Sequence, residues 1–208
     1  MGLDYSYRLY FHRQDLWDVL QGIADISARS ALPTLVVFPD SLRAYSIEGW
    51  GDKKRIIPWD DAQFGFNVSI FFNRDEAIVD YLCRVNSREL DPALLENPFG
   101  LPVGTIYINV YNDLNRFEEK NWDPDIVLID LGTTGTRMST LFMESDSIRA
   151  RFQGLLEQYH GICGVFNMED YGYLIWHKGV RIDRRLPDPY MSPAEIETFL
   201  ASEGKENP

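Results

Sequence analysis

Phe64, Phe66, Val68, Ile70 and Phe72 recur at every second position over nine residues. A period of two lines up one face of a β-strand and cannot line up a helix face, so this stretch commits the chain to a sheet with one strongly apolar side. Its length places it as the central strand of that sheet. Asn73 then offers an N-cap oxygen, with Glu76 three residues on, ahead of the helical positions Ile78, Val79 and Leu82.

The same switching between periods organises the rest of the chain. Tyr5, Tyr7, Leu9 and Phe11 alternate with Ser6, Arg8, Tyr10 and His12 as a half-buried strand, and 14–28 follows at helical spacing. Strands are expected at 34–38 and 42–47, then a loop over 48–63 with one weak strand, where Pro58 breaks the ladder. Beyond Phe72 come strands at 105–111 and 125–131, a helix at 147–159, and a hairpin of 164–168 with 171–176 around Glu169-Asp170. Asp91-Pro92 reads as a short helical start, and Ser192-Pro193-Ala194-Glu195 as a capping box. Leu9-Tyr-Phe-His-Arg13 and Ile70-Phe-Phe-Asn-Arg74 form an approximate repeat at the passage from strand to helix.

From Phe64 the order is strand, helix, strand, strand, helix, strand, the split βαβ pattern. The fold class is therefore α+β, with a mainly antiparallel sheet, helices on one face and a ferredoxin-like βαββαβ core at about 64–177. A β-α-β-β segment over 1–62 precedes it, either on the same sheet or as a partial repeat. The core spans 63–178, and 179–208 form an extension with a short capped helix.

With 20 Lys+Arg against 32 Asp+Glu, the chain of 208 residues carries a formal charge of −12. That sign opposes binding to phosphate backbones or anionic membrane surfaces and favours a basic protein partner. Two cysteines, Cys83 and Cys163, cannot build a secreted disulfide framework. No apolar run approaches the roughly 20 residues of a membrane helix, and the N-terminus lacks a signal-peptide pattern. Gly2 and Ser6 match the short myristoylation spacing, but a strand begins directly after them. The expected location is the cytoplasm.

Ile126-Val-Leu-Ile-Asp130-Leu-Gly132-Thr133-Thr134-Gly135 resembles the first phosphate-binding turn of the actin-like and sugar-kinase ATPases, where a strand ends in Asp and a Gly-Thr-Thr turn faces the phosphates. The resemblance implies Asp130, Gly132, Thr133 and Thr134 as phosphate and Mg²⁺ contacts, small residues permitting close backbone approach. It covers about a dozen residues. A second acidic phosphate turn does not follow, so neither ATPase nor sugar-kinase activity is expected. The plain counterpart is a Gly/Thr connection between strand and helix.

His160 and Cys163 have no second ligand pair at zinc spacing, so no metal is expected. Asp113 and Asn115 begin like a calcium loop but lack the Gly and Glu that complete one. Walker, nucleophile-elbow, zincin and dinucleotide signatures do not occur. Lys178, Arg181, Arg184 and Arg185 form a local basic patch, read as a charged edge strand or a seat for an anion or for a second copy's acidic face. Six acidic residues fall between Asp113 and Asp130 against two basic ones, Arg116 and Lys120. With no catalytic constellation and no cofactor motif, the expected function is a non-enzymatic binding protein of the regulatory, adaptor or immunity type. Its contact surface would be Glu118, Glu119, Trp122, Asp123 and Asp125, with Trp122 as anchor. The alternative is a small phosphate- or nucleotide-binding domain or enzyme centred on Asp130–Arg137, and a homo-oligomer fits either.

Overall fold

Along β1 (Ser6–His12) every residue but His12 is buried, the signature of a strand covered on both faces. In the computed structural model, which describes residues 2–28, 33–37, 44–48, 56–58, 61–86, 95–116 and 122–203, this strand and β9 (Ile126–Gly132) form the middle of a seven-stranded sheet. The chain runs from β1 through a 3₁₀ turn to α1 (Leu16–Asp25), β2 (Pro33–Val37), β3 (Ala44–Glu48), β4 (Ile56–Pro58), β5 (Gln63–Val68), β6 (Phe71–Phe72) and α2 (Glu76–Asn86). It continues with β7 (Leu101–Pro102), β8 (Ile106–Tyr111), β9, α3 (Thr136–Glu144), α4 (Asp146–Gln158), β10 (Cys163–Asn167), β11 (Gly172–His177), β12 (Val180–Leu186) and α5 (Pro193–Glu203).

The large sheet has the order β12-β11-β10-β1-β9-β8-β5, and every neighbouring pair is antiparallel. The fold is α+β with a mostly antiparallel sheet. β3-β2-β4 form a separate small sheet, and β6 pairs with β7 as a ribbon. Pro58 does not break its ladder: it ends β4, an edge strand paired with β2.

The strand begun at Phe64 is at the edge rather than the centre. Among the described residues β5 pairs only with β8, and past Val68 the chain leaves the sheet, Ile70 bridging Ser27 before Phe71–Phe72 join β7. The buried face is as expected, with Phe64, Phe66, Val68, Ile70 and Phe72 all buried. Clean alternation reports one dry face and one wetter face, whatever the place in the sheet, and the interior strand β8 alternates too; the central β9 reads Ile-Val-Leu-Ile because it is covered on both sides. The sheet also continues past residue 178 into β12.

The main core lies between one sheet face and α1 to α4. Tyr7, Leu9, Phe11, Ile108, Ile129 and Leu131 meet Leu20, Ile78, Phe142 and Phe152 there. Burying each such side chain is worth about 1.5–3 kcal/mol. The helices are not all on that face. α5 packs Ile196 against a second core of Tyr10, Leu128, Cys163, Val165, Leu174 and Leu186, because this half of the opposite face is also apolar and needs a cover. Its capping box forms as expected, Ser192 N–H donating to Glu195 Oε2 at 2.7 Å and Glu195 N–H to Ser192 Oγ at 3.2 Å. The cap of α2 is Asp75 rather than Asn73: Ile78 N–H donates to Asp75 Oδ1 at 2.8 Å. The Asp91-Pro92 start lies outside the described residues.

Candidate binding face

Alternation decides which side chains meet on the second face, and the ladder registers line them up in rows across the sheet. One row runs Asn67, Tyr107, Gly132, Ser6, Asn167 and Gly172. The next runs Gly65, Asn109, Asp130, Arg8, Val165 and Leu174. A third runs Gln63, Tyr111, Leu128, Tyr10 and Cys163. The apolar members belong to the second core under α5. The first two rows are polar from β5 to β1, and Asn67, Asn109, Asp130 and Gly132 are half-buried.

Arg8 and Asp130, ladder partners, form the middle of this polar half. Arg8 is only 3% exposed. Its Nη1 donates to the Pro189 carbonyl at 3.2 Å, and its guanidinium lies 4.8 Å from the Tyr190 ring centre and 5.8 Å from that of Tyr10, both cation–π distances. Gly172 lets segment 187–190 settle there: a Cβ at Gly172 would sit 2.9 Å from Val165 Cγ1 and 3.1 Å from Pro189 Cα.

Asp130 has one enclosed carboxyl oxygen, Oδ1, without a hydrogen-bond partner among the described residues. Burial pushes its carboxyl above the ordinary value of 3.8; the Ser6 side chain and the Arg8 charge oppose that rise, and Asp4 adds to it. An enclosed carboxylate oxygen left unmatched is among the costlier groups a fold can keep. Around it the surface is open. Tyr107 is 39% and Tyr190 47% exposed, and a Cβ built on Gly132 would find no atom nearer than 3.9 Å. The result is a shallow polar surface, a floor between two aromatic side chains, where asparagine amides can exchange hydrogen bonds and where a donor reaches the enclosed Asp130 oxygen once a neighbouring side chain shifts aside.

This chain matches no protein-family model, no curated protein and no solved structure.

Of the residues expected around phosphate, Asp130 and Gly132 lie on this floor, while Thr133 and Thr134 are engaged elsewhere. Thr133 N–H donates to Tyr5 O at 3.2 Å, and its hydroxyl lies 2.7 Å from Ser139 Oγ. Thr134 Oγ1 donates to Met138 Sδ at 3.5 Å. The N-terminal segment runs across the start of α3, with Leu3 N–H on Thr136 Oγ1 and Tyr5 N–H on Ser139 Oγ. The turn's hydroxyls and one of its amides thus serve the fold.

Trp122 is turned inward. It is 5% exposed and stacks on Tyr10 at 5.9 Å and 11°, capping the second core. Asn115 fixes it on both sides, accepting from Trp122 N–H at 2.8 Å and donating to its carbonyl at 3.2 Å. Arg13 holds the loop beyond through the Pro124 carbonyl and Asn112. Asp123 and Asp125 are exposed, with Asp123 Oδ1 accepting from Asp125 N–H; Glu118 and Glu119 lie outside the described residues.

Two open cavities lie away from the polar floor. One, of about 690 Å³, separates α2 from α3 and is lined by Asp80, Tyr81, Arg84, Arg137 and Glu144 among others. The other, of about 620 Å³, gathers His12 and His160 with Asp123, Glu157, Lys178 and Glu197. Its charges are largely spoken for: Lys178 meets Glu197 at 2.7 Å, and Arg181 meets Glu157 at 2.9 Å. His160 takes the left-handed position after α4 at φ 52°, with Gly161 N–H closing on Leu156 O. Cys163 is buried under α5, and burial pushes its thiol up. No group of three metal-ligating side chains occurs among the described residues.

Sequence reasoning reached Asp130 through its motif and missed Arg8, Asn67 and Asn109. Each occupies the polar phase of an alternating strand, the one available signal, and that signal does not tell a solvated face from a binding face.

Proposed function

We propose that this is a binding protein and that its working surface is the polar half of the second sheet face, centred on Asp130 and Arg8. The observation that carries the reading is the enclosed, unmatched Asp130 oxygen in an otherwise open polar floor. A ligand group donating an N–H or O–H there would remove a standing penalty, and this is how a buried polar group turns into affinity and selectivity.

A thermal-shift screen of polar small molecules tests it, since a ligand of the native state raises the melting point. A compound that stabilises the wild-type chain by several degrees and fails to stabilise Asp130→Asn supports the reading. Stabilisation by Mg²⁺-ATP, lost in Thr133→Ala and kept in Asn109→Ala, would favour the phosphate turn instead.

The acidic loop enters this reading in a reduced part. Asp123 and Asp125, with Glu118 and Glu119, would steer a basic partner, while Trp122 caps the second core. The cytoplasm is the compartment proposed, a reading favoured by two free cysteines. A ferredoxin-like core is proposed in a shifted frame. With β1 as first strand and α1 as first helix, β8, β9, the α3–α4 pair and β10 complete the pattern, and the sheet order β10-β1-β9-β8 supports that assignment.

A further inference from the structure

We infer that the ligand of this face is a neutral polyol of the carbohydrate class, an inference that rests on the face being the binding surface proposed above. Charge supplies the first argument. The two polar rows hold one carboxylate, Asp130, and one guanidinium, Arg8, adjacent in the ladder and opposite in sign. An ionic ligand would bring an unmatched charge to a pair already balanced, whereas a neutral ligand brings none. Hydrogen-bond chemistry supplies the second. Each hydroxyl of a polyol both donates and accepts, matching an acceptor-only carboxylate oxygen beside Asn109, with Asn67 further along the same face; both amides also donate and accept. Shape supplies the third. Tyr107 and Tyr190 are large side chains exposed at this floor, and Tyr190 is held by its contact with Arg8. Tyrosine offers a flat apolar ring with a polar tip, suited to a sugar ring that carries C–H groups on its faces and hydroxyls on its rim. Gly132 keeps the floor low beneath them, so a ring can approach the backbone.

The test is a titration of the full-length ¹⁵N-labelled chain with chitotriose, cellotriose, maltotriose and mannotriose, alongside arginine methyl ester and inorganic phosphate as ionic probes. We expect at least one saccharide to shift the amides of Tyr107, Asn109, Asp130 and Gly132 together. Tyr107→Ala and Asn109→Ala should each weaken that binding by about tenfold or more, roughly 1.4 kcal/mol. Tyr107 is exposed, so its variant keeps the spectrum of a folded protein. Shifts of these amides by an ionic probe and by no saccharide would overturn the carbohydrate assignment and leave the binding face standing. Saccharide shifts confined to the histidine-lined cavity would overturn it as well. No shift of the face with any probe would overturn both readings.

Discussion

Replacing Asp130 by Asn removes a carboxylate that burial holds above its ordinary value, and stability and binding should then move in opposite directions. A carboxyl with a raised folded-state pKa binds its proton more tightly in the native chain than in the unfolded one. Stability is therefore lost as pH rises from the ordinary value of 3.8 through the folded value. Asp130→Asn should match the wild type at the acid end of that window and exceed its melting point at neutral pH, while losing affinity for any ligand of the face. Denaturant unfolding at a series of pH values checks this; a variant less stable at pH 7 than the wild type would contradict it. Trp122 sets the opposite case. Its ring fills the second core against Tyr10, so Trp122→Ala should lose about 3–5 kcal/mol of stability and leave the affinity of the polar face, per folded molecule, unchanged.

At the scale of elements, Asp75 joins two helix starts. Its Oδ1 takes Ile78 N–H in the first turn of α2, and its Oδ2 takes the Ser145 hydroxyl at 2.6 Å and Ser147 N–H at 3.0 Å at the start of α4. Ser145 in turn caps α4 by accepting from Ile148 N–H. Asp75→Ala should cost about 2 kcal/mol, more than the ~1 kcal/mol of a single cap such as Ser192→Ala, because three donors lose their acceptor at once. Comparing the two variants by urea denaturation separates a helix-joining residue from an ordinary cap. β5 makes a different point. Although it stands at the edge, Val68 is fully buried beneath it, so Val68→Asp should unfold the chain, seen as loss of the cooperative thermal transition.

For the whole molecule, the excess of twelve negative charges works against the compact state through self-repulsion. Added NaCl shortens the screening length from about 30 Å at 0.01 M to about 8 Å at 0.15 M, so the melting temperature should rise over that range. Calorimetry at the two salt concentrations checks it; a fall would mean that ion pairs such as Arg181–Glu157 and Lys178–Glu197 outweigh the repulsion. The polar face is also a property of this scale. Ser6, Asn67, Asn109 and Asp130 come from four strands spread over more than 120 residues of sequence, and only the registers of three ladders bring them side by side.

What the chain determined by itself is local. Period-two runs made β1, β5 and β8, a continuous apolar run made β9, helical spacing made α1 and α4, and Ser192 with Glu195 closed its capping box, because each depends on residues a few positions apart. The order of strands could not be local: whether a strand lies at the centre or the edge depends on which distant segments pair with its two sides, and alternation reports only how its two faces are covered, as the interior strand β8 alternates like the edge strand β5. The direction of Trp122 was likewise decided by tertiary packing, since a tryptophan beside Asp and Pro has the same sequence whether it faces a partner or Tyr10. Asp130 was visible as a residue, but its isolation was not. That required Arg8, Ser6 and Asn109 to arrive from other strands beside a carboxyl with one enclosed oxygen unmatched among the described residues, an outcome set by the register of the sheet rather than by any segment alone.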